Sequence, residues 1–262
     1  MRSGVAIITL CSEGAVVAEY LCRRLPNCTV YLHQNVPGAW DFQRFSSVRD
    51  LTASLFSGVE GIVFITPCGV AVRSVAPHVR HKSTDPAVVV VDVGARWAVS
   101  LLSGHEGGAN DLAMTIGNIL AAEPVVSTTT EALKTLIVGI GCRRGTPSER
   151  IVAAIRATLA ENGLTLDEVR LISSADLKKD ERGLLDASHQ LNIPLRLISS
   201  HELRNSAKDF QHSDFVQKSV AVPAVAEPAA LLAGRRTQLI VTRKIYDGIT
   251  VAVARENCLW SA

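Results

Sequence analysis

Residues 61–111 read GIVFITPCGVAVRSVAPHVRHKSTDPAVVVVDVGARWAVSLLSGHEGGAND, and this stretch decides the fold. Three apolar runs within it, Ile62–Ile65, Ala87–Val91 and Trp97–Leu102, are rich in β-branched residues and end in glycine, proline or polar residues. That pattern predicts buried strands that lead into loops. The turn residues Gly94-Ala95-Arg96 predict that the second and third strands form a β-hairpin.

Two loops that follow these strands have unusual compositions. The first is Thr66-Pro67-Cys68-Gly69, and the second is Ser103–Asn110, whose sequence SGHEGGAN contains the glycines Gly104, Gly107 and Gly108. Glycine lets the backbone approach a ligand closely, and three glycines within five residues exceed the needs of a turn. A helical pattern begins at Asn110. A strand, a glycine loop and a helix in that order are typical of a ligand site.

His105 is the predicted catalytic residue. A neutral imidazole can accept a proton near pH 7, so a histidine held by glycine-rich backbone could activate a water molecule. Glu106 could orient His105 or act as the base itself. Backbone N–H groups of the loop, together with the N-terminus of the following helix, would favour an anion or a developing oxyanion. The alternative for both residues is a solvated loop without chemistry.

Basic side chains lie between the two loops. They are Arg73, His78, Arg80, His81 and Lys82. Arginine can bind carboxylates through paired charge-assisted hydrogen bonds, so the cluster could recognise a polyanionic small molecule. A charge run of this kind is also typical of a solvated face.

A second unit is predicted to start near Thr128–Leu133. It opens with the strand Leu136–Ile140 and the loop Gly141-Cys142-Arg143-Arg144-Gly145. Thr146-Pro147-Ser148-Glu149 predicts a helix start with Thr146 as the N-cap. Because Arg143 and Arg144 oppose the dipole of that helix, they predict a bound anion, with simple solvent exposure as the alternative. By pattern, Lys178 is an ordinary surface residue.

Cysteines and histidines give weaker signals. Cys68 and Cys142 each stand beside a glycine in a loop at a strand end, where a thiol could be a nucleophile, although buried packing is the commoner role. The 6 cysteines form no Cys-x-x-Cys pair, and without a secretion signal we expect reduced thiols in a cytoplasmic protein. The 7 histidines lack ligand spacing, so no protein metal site is predicted.

Composition excludes several classes of partner. The net charge of +2 and an aromatic content of 5% give no reason to expect nucleic acid. No run approaches the roughly 20 apolar residues of a membrane helix, so no membrane contact is expected. We therefore predict two α/β domains with mainly parallel sheets, residues 1–130 and 131–262, and a ligand cleft between the domains. Residues 33–45 and 201–222 are predicted loops.

Several segments together resemble the cobalamin-biosynthesis protein G family, the cobalt-precorrin-5A hydrolases. In the first half they are TPCGVAVRSVAP, KSTDPAVVVVD, SLLSGHEGGANDLA and PVVSTTTE. In the second half they are LIVGIGCRRGTPSE, SADLKKDERGLLDAS, DFVQKSVAVPAVAEPAALLAG and GITVAVA. The resemblance covers most of the chain, although residues 5–57 carry it less distinctively.

The resemblance implies an enzyme of the anaerobic branch of corrin-ring synthesis. Such enzymes open the δ-lactone of cobalt-precorrin-5A and release acetaldehyde, giving cobalt-precorrin-5B. The tetrapyrrole substrate carries acetate and propionate groups and brings its own cobalt, so no further cofactor is expected. The contacts implied with this substrate involve Thr66, Cys68, Gly69, Arg73, Lys82, Ser103, Gly104, Gly107, Gly108, Asn110, Gly141, Cys142, Arg143 and Lys178.

One departure from the family pattern concerns its middle segment. Many members carry further residues between the TTT and GIGCRRGT stretches, which only Glu131–Thr135 joins here. If that segment covers the substrate, a second subunit in a homodimer is one way for this chain to close its pocket. The alternative function is a non-catalytic tetrapyrrole carrier that contacts corrin-ring methyltransferases transiently and hands the intermediate to them.

Overall fold

The computed structural model describes residues 4–209 and 225–259, without the side chains of residues 207–209. The chain divides into two compact units, Met1–Thr128 (unit 1) and Thr129–Ala262 (unit 2). Each contains α-helices and a β-sheet, and the strand pairings of the two sheets taken together are mainly parallel, which confirms the predicted fold class. No helix within the described residues combines the length and the apolar character that crossing a membrane requires.

The sheet of unit 1 has the strand order β3-β2-β1-β4-β5-β6-β7. Its strands are β1 (Val5–Thr9), β2 (Cys28–His33), β3 (Gln43–Phe45), β4 (Gly61–Ile65), β5 (Ala87–Val91), β6 (Trp97–Leu102) and β7 (Glu123–Val125). The helices are α1 (Ser12–Cys22), α2 (Val48–Leu55), α3 (Cys68–Val75) and α4 (Ala109–Leu120), and a 3-10 turn, Ala76–His78, follows α3.

Helices cover both faces of this sheet. Val63 and Ile65 of β4 belong to a buried cluster with residues of α1 and α4, whereas Ile62 and Phe64 pack with residues of α3 on the other face. Every residue of β4 is therefore buried. A strand buried on both faces reads as a continuous apolar run, which is why Ile62–Ile65 was recognisable in the sequence.

The direction of β6 determines where the glycine loop lies. β4 and β5 are parallel, with Ile65 beside Val91, but β6 is antiparallel to β5, with Val91 beside Ala98 and Val88 beside Leu102. The predicted hairpin is thus confirmed. As a consequence, the residues after Leu102 lie at the edge of the sheet where β4 and β5 begin.

Unit 2 has a sheet of order β10-β9-β8-β12-β11, in which β8, β9 and β10 are parallel and β12 and β11 are antiparallel additions. The strands are β8 (Leu136–Cys142), β9 (Val169–Ala175), β10 (Leu195–Ile198), β11 (Thr237–Tyr246) and β12 (Ile249–Glu256). The helices are α5 (Thr129–Ala132), α6 (Ser148–Glu161), α7 (Arg182–Leu191), α8 (Ser200–Asp209) and α9 (Ala226–Leu232), with 3-10 turns at Leu166–Glu168 and Asp176–Lys178.

Four local predictions are wrong. Gln43–Phe45 forms a short edge strand, because Tyr31 and His33 of β2 supply a parallel partner that the polar sequence did not reveal. Residues 201–209 are helical, with Ser199 accepting a hydrogen bond from the Glu202 amide, and 210–222 lie outside the described residues. Helix α6 begins at Ser148 with Pro147 as its N-cap, since the Thr146 hydroxyl donates to Arg143 O instead.

The fourth correction concerns the cysteines. Cys22 and Cys28 form a disulfide, with their Cα atoms 5.8 Å apart, so the expectation of six reduced thiols is wrong. Cys22 is the last residue of α1 and Cys28 the first of β2, and the turn between these elements brings the two side chains together. A Cys-x-x-Cys rule cannot detect this pair, because the turn requires five intervening residues. Within the described residues, Cys11, Cys68, Cys142 and Cys258 form no disulfide.

Candidate functional site

The SGHEGGAN loop places His105 and Glu106 at the surface, between β6 and α4. The Glu106 carboxylate pairs with the Lys82 ammonium group at 2.6 Å, and it lies close enough to His105 for an electrostatic interaction. The hydrogen bond from Lys82 holds the pKa of the Glu106 carboxyl below its usual value, which makes Glu106 a weaker base. The imidazole of His105 makes no hydrogen bond to any described residue, so it is free to meet a ligand.

Close packing explains two of the three loop glycines. A Cβ atom on Gly104 would lie 2.7 Å from Thr128 Cγ2, and one on Gly107 would lie 2.3 Å from Ser103 Cβ. Gly108 has open space around it but adopts a left-handed φ of +84° as the N-cap of α4. Each glycine therefore has a local structural reason. The presence of three glycines in this loop therefore does not by itself require a ligand.

Ser103 and Asn110 hold the two ends of the loop together. Ser103 O accepts a hydrogen bond from the Ala109 amide at 3.1 Å, and Gly104 O accepts one from the Asn110 amide at 2.9 Å. The Asn110 side chain accepts from Ser100 Oγ at 2.8 Å and donates to Thr128 Oγ1 at 3.0 Å. Asn110 thus braces the loop from inside, and the substrate contact that the family resemblance implies for it stays a prediction.

Ser103 stands out for a different reason. It is 5% exposed, and its hydroxyl oxygen has no hydrogen-bond partner among the described residues. Its backbone is also left-handed, with a φ of 61°. Both features cost free energy, by roughly 1–3 kcal/mol each. The surrounding loop, which packs Gly107 against the Ser103 side chain, must hold this conformation in place.

The Thr66–Gly69 loop lies at the opposite edge of the same sheet. It follows β4 at the carboxyl end, whereas Ser103 lies where β4 begins, and five strand residues span about 13 Å. Arg73 belongs to this second location, because its guanidinium lies 3.2 Å from the position of a Cβ on Gly69. Lys82 lies at the same edge of the sheet as His105. The unit 1 residues predicted to contact one substrate therefore fall into two separate groups.

The Thr66–Gly69 group still lies where α/β sheets commonly bind ligands. Chain connections diverge between the adjacent strands β1 and β4, which makes this carboxyl edge a topological switch point. Cys68 is exposed there as the first residue of α3. Thr66 is buried, and its hydroxyl donates to the Pro67 carbonyl oxygen at 3.3 Å.

In unit 2, the predicted residues gather at the carboxyl edge of the parallel strands. Gly141 and Cys142 end β8, and Lys178 lies in the 3-10 turn after β9. Arg143 is exposed, and its side chain packs at the tip of the β11–β12 hairpin, where Arg143 Nε is 3.0 Å from the position of a Cβ on Gly248. This loop therefore presents cationic side chains beside the strand ends.

The chemistry of Cys142 favours packing over catalysis. Burial raises the pKa of the Cys142 thiol, while the charge of Lys178 acts in the opposite direction. A thiol with a raised pKa supplies little thiolate at neutral pH, so it is a poor nucleophile. Within residues 4–209 and 225–259, no three His, Cys, Asp or Glu side chains are grouped as a metal site would require.

Glu181 was missed by the sequence analysis. Its side chain is 5% exposed, accepts a hydrogen bond from the Gly145 amide at 2.8 Å and lies 3.6 Å from Lys178 Nζ. The Gly145 amide, in the same loop as Arg143 and Arg144, is thus already paired with a carboxylate of the protein itself. The i,i+3 spacing of Lys178 and Glu181 was the available signal, but such pairs are usually exposed.

Comparison with known proteins gives matches over both units. The family profile described as "Cobalamin synthesis G N-terminal" matches residues 50–131, and "Cobalamin synthesis G C-terminus" matches residues 136–254. The two matched ranges contain His105, Glu106, Lys82, Arg143 and Lys178.

Individual relatives agree with these profiles. A cobalt-precorrin-5A hydrolase from Priestia megaterium is 26% identical over 356 aligned positions that cover 97% of this chain and 95% of the relative. One from Salmonella typhimurium is 24% identical and covers 95% of this chain and 97% of the relative. Both alignments are longer than the 262 residues of this chain, so the relatives contain residues without a counterpart here.

Among solved structures, cobalamin biosynthesis protein chiG from Agrobacterium tumefaciens is 33% identical, with a TM-score of 0.41, over 47% of this chain and 99% of that one. The two family profiles meet almost end to end and together account for most of the sequence. The chain therefore belongs to the cobalamin-biosynthesis protein G family.

Proposed function

We propose that this protein is a cobalt-precorrin-5A hydrolase of anaerobic cobalamin biosynthesis. The observation that carries the proposal is the alignment of two proteins named cobalt-precorrin-5A hydrolase along nearly the full length of this chain. The substrate is a cobalt-bearing tetrapyrrole with a δ-lactone and several carboxylates. The products are acetaldehyde and cobalt-precorrin-5B.

We assign the reaction to the His105 edge of unit 1. The exposed imidazole takes a proton from water while the water oxygen attacks the lactone carbonyl carbon. The tetrahedral intermediate then expels the ring oxygen, which is protonated to a hydroxyl group. That hydroxyl, on the carbon that bears the methyl group, then loses its proton and becomes an aldehyde carbonyl as the carbon–carbon bond to the macrocycle breaks. The macrocycle carbon takes the electron pair and is protonated, and acetaldehyde is released. General base catalysis supplies about 10²–10⁴-fold of the rate enhancement.

The same loop supplies donors for the oxyanion. The amides of Ala109 and Asn110 already donate to carbonyl oxygens within the loop, and the Glu106 amide donates to its own carboxylate. We therefore assign the contacts with the oxyanion to the amides of His105, Gly107 and Gly108. Preorganised backbone donors of this kind are worth about 10²–10³-fold each in turnover.

Lys82 and Glu106 act beside the base rather than as bases themselves. Because the pKa of the Glu106 carboxyl is held low by Lys82, we assign to Glu106 the role of stabilising the imidazolium that forms on His105. Lys82 retains further N–H donors for a substrate carboxylate, as does Arg143 in unit 2. Arg73, Cys68, Gly69 and Thr66, at the other sheet edge, can serve only a distant part of the substrate.

The test is an incubation of the purified protein with cobalt-precorrin-5A under anaerobic conditions. Acetaldehyde is trapped with an aldehyde-reactive dye, and the corrinoid product is identified by mass spectrometry. We expect one acetaldehyde per substrate consumed, at a rate proportional to protein concentration. Stoichiometric binding of the tetrapyrrole without acetaldehyde would instead identify the protein as a carrier that passes the intermediate to another enzyme.

A further inference from the structure

Among the residues that the structure describes, Glu181 is one of few charged residues that are buried. An ionised carboxylate removed from water is costly unless hydrogen bonds and an opposite charge compensate for it. Glu181 has both kinds of partner: the Gly145 amide at 2.8 Å and the Lys178 ammonium group at 3.6 Å. The Gly145 amide belongs to the loop that follows β8, and Lys178 belongs to the turn that follows β9.

We propose that Glu181 is a positioning residue, whose carboxylate fixes the Lys178 ammonium group and the Arg143–Thr146 loop in the arrangement that receives an anionic group of the substrate. The inference rests on the proposed function, because it concerns how the tetrapyrrole carboxylates are held. It adds a residue that does not itself touch the ligand. An anion cannot contact Glu181 favourably, but it can contact the cations that Glu181 orients.

The backbone around Glu181 is built to keep it in place. The Glu181 amide donates to Lys178 O at 3.0 Å, which closes the turn between the two paired side chains. A Cβ on Gly183 would lie only 1.9 Å from Thr146 O, so the start of α7 packs directly on the loop before α6. The hydroxyl of Thr146 in turn donates to Arg143 O at 2.7 Å. Glu181, Lys178 and Arg143 thus belong to one connected arrangement.

The geometry also sets the role of Lys178. Its ammonium group lies 3.6 Å from Glu181, and its side chain as a whole is 23% exposed, which leaves part of it accessible to solvent or a ligand. An ammonium group on a flexible four-carbon stem loses entropy when it is fixed. Glu181 fixes it before the ligand arrives, and this preorganisation lowers the cost of binding.

Replacing Glu181 with glutamine separates positioning from simple electrostatics. The Glu181→Gln change keeps an oxygen that can accept from the Gly145 amide, but it removes the negative charge that faces Lys178. If Glu181 merely reduced the local positive potential, losing its charge would strengthen the binding of an anion. If Glu181 positions Lys178, the same change weakens binding. The two roles therefore predict shifts of opposite sign.

The experiment uses the full-length protein and two readouts. The first is the Kd of an octacarboxylate porphyrin, measured by fluorescence at low salt. The second is the KM and kcat of acetaldehyde release from cobalt-precorrin-5A. For Glu181→Gln we expect Kd and KM to rise about five- to tenfold, with kcat changed less than twofold. The matched control is Asp180→Asn, a neighbouring exposed carboxylate, which should slightly tighten binding or leave it unchanged.

A double-variant cycle tests whether Glu181 acts through Lys178. Lys178→Met should weaken binding, and adding Glu181→Gln to it should have little further effect, because the group to be positioned is gone. The double variant leaves no unpaired buried charge, so it should melt at a higher temperature than Lys178→Met alone.

Tighter or unchanged porphyrin binding by Glu181→Gln would overturn the inference. So would fully additive effects of Glu181→Gln and Lys178→Met on binding, or a wild-type protein that does not bind the porphyrin. Failure of the proposed function gives a different result. In that case the wild type releases no acetaldehyde, but the porphyrin still binds and still depends on Glu181.

Discussion

Gly107→Ala is the substitution whose effect can be worked out most directly from the structure. A methyl group at this position would lie 2.3 Å from Ser103 Cβ, 2.8 Å from Ser103 O and 3.2 Å from Lys82 O. Carbon atoms in contact are normally about 3.5–4.0 Å apart, so the shortfall against Ser103 Cβ is about 1.2–1.7 Å. Because all three neighbours are backbone atoms or are attached to the backbone, no rotamer change relieves the contact. The loop itself must move by about 1 Å.

A displacement of that size should affect turnover strongly. Misplacement of catalytic groups by about 1 Å can cost about 10²-fold in rate, and both His105 and the proposed oxyanion donors lie on this loop. We therefore expect kcat for acetaldehyde release to fall by about 10²-fold. The overpacking should also destabilise unit 1, by about 1–3 kcal/mol.

Gly108→Ala is the matched control. The added methyl group would meet no atom within 4 Å, but the left-handed φ of +84° would cost about 1–2 kcal/mol. Both variants should thus lose similar stability, as measured by thermal melting, while only Gly107→Ala loses most of its turnover. Near-normal kcat in Gly107→Ala would refute the assignment of catalysis to this loop. Equal losses of kcat in both variants would show that turnover merely follows stability.

Three further predictions concern charge and thiol chemistry. Three substitutions should each raise KM more than they lower kcat: Arg73→Ala, Lys82→Ala and Arg143→Ala. Added salt should also weaken substrate binding. Unchanged KM in all three variants, together with salt-insensitive binding, would show that these side chains are merely solvated. Because Arg73 and Lys82 lie at opposite sheet edges, their effects in a double variant should add to within about 0.5 kcal/mol, and strong coupling would contradict the two-group arrangement. Partial burial raises the pKa of the Cys142 thiol, so iodoacetamide at pH 7.5 should modify it more slowly than exposed Cys68. Faster labelling of Cys142 would contradict its partly buried environment.

The sequence predicted those parts of the fold that depend on local pattern. Ile62–Ile65 and Ala87–Val91 are continuous apolar runs rich in β-branched residues, and both are strands buried on two faces. The turn at Gly94-Ala95-Arg96 was recognisable from its composition. Gln43–Phe45 was not, because a three-residue polar strand depends on its neighbour β2 rather than on its own residues.

The arrangement of the site was harder to predict, because it depends on strand direction and on contacts distant in sequence. Thr66 and Ser103 both follow strands that were predicted to be buried, although β6 is only partly buried because Trp97 is exposed and Val99–Leu102 are half-buried. The hairpin reverses β6 and sends the two residues to opposite edges of the sheet. The contact of Gly104 with Thr128 spans 24 residues, and the bond from Gly145 to Glu181 spans 36. Neither pairing produces a periodic pattern in the sequence. The sequence therefore indicated a ligand as the reason for the loop glycines, and it did not indicate a role for Glu181.

The measurement that tests the central claim most directly is acetaldehyde release by His105→Asn as a function of pH. Asparagine keeps a polar side chain of similar size but cannot take a proton from water at neutral pH. Since His105 is exposed on a loop, thermal melting and porphyrin binding should change little. Turnover should fall by about 10²-fold or more, and the decline in kcat that the wild type shows at acidic pH should disappear. Near-normal turnover with an unchanged pH profile would remove His105 from the mechanism.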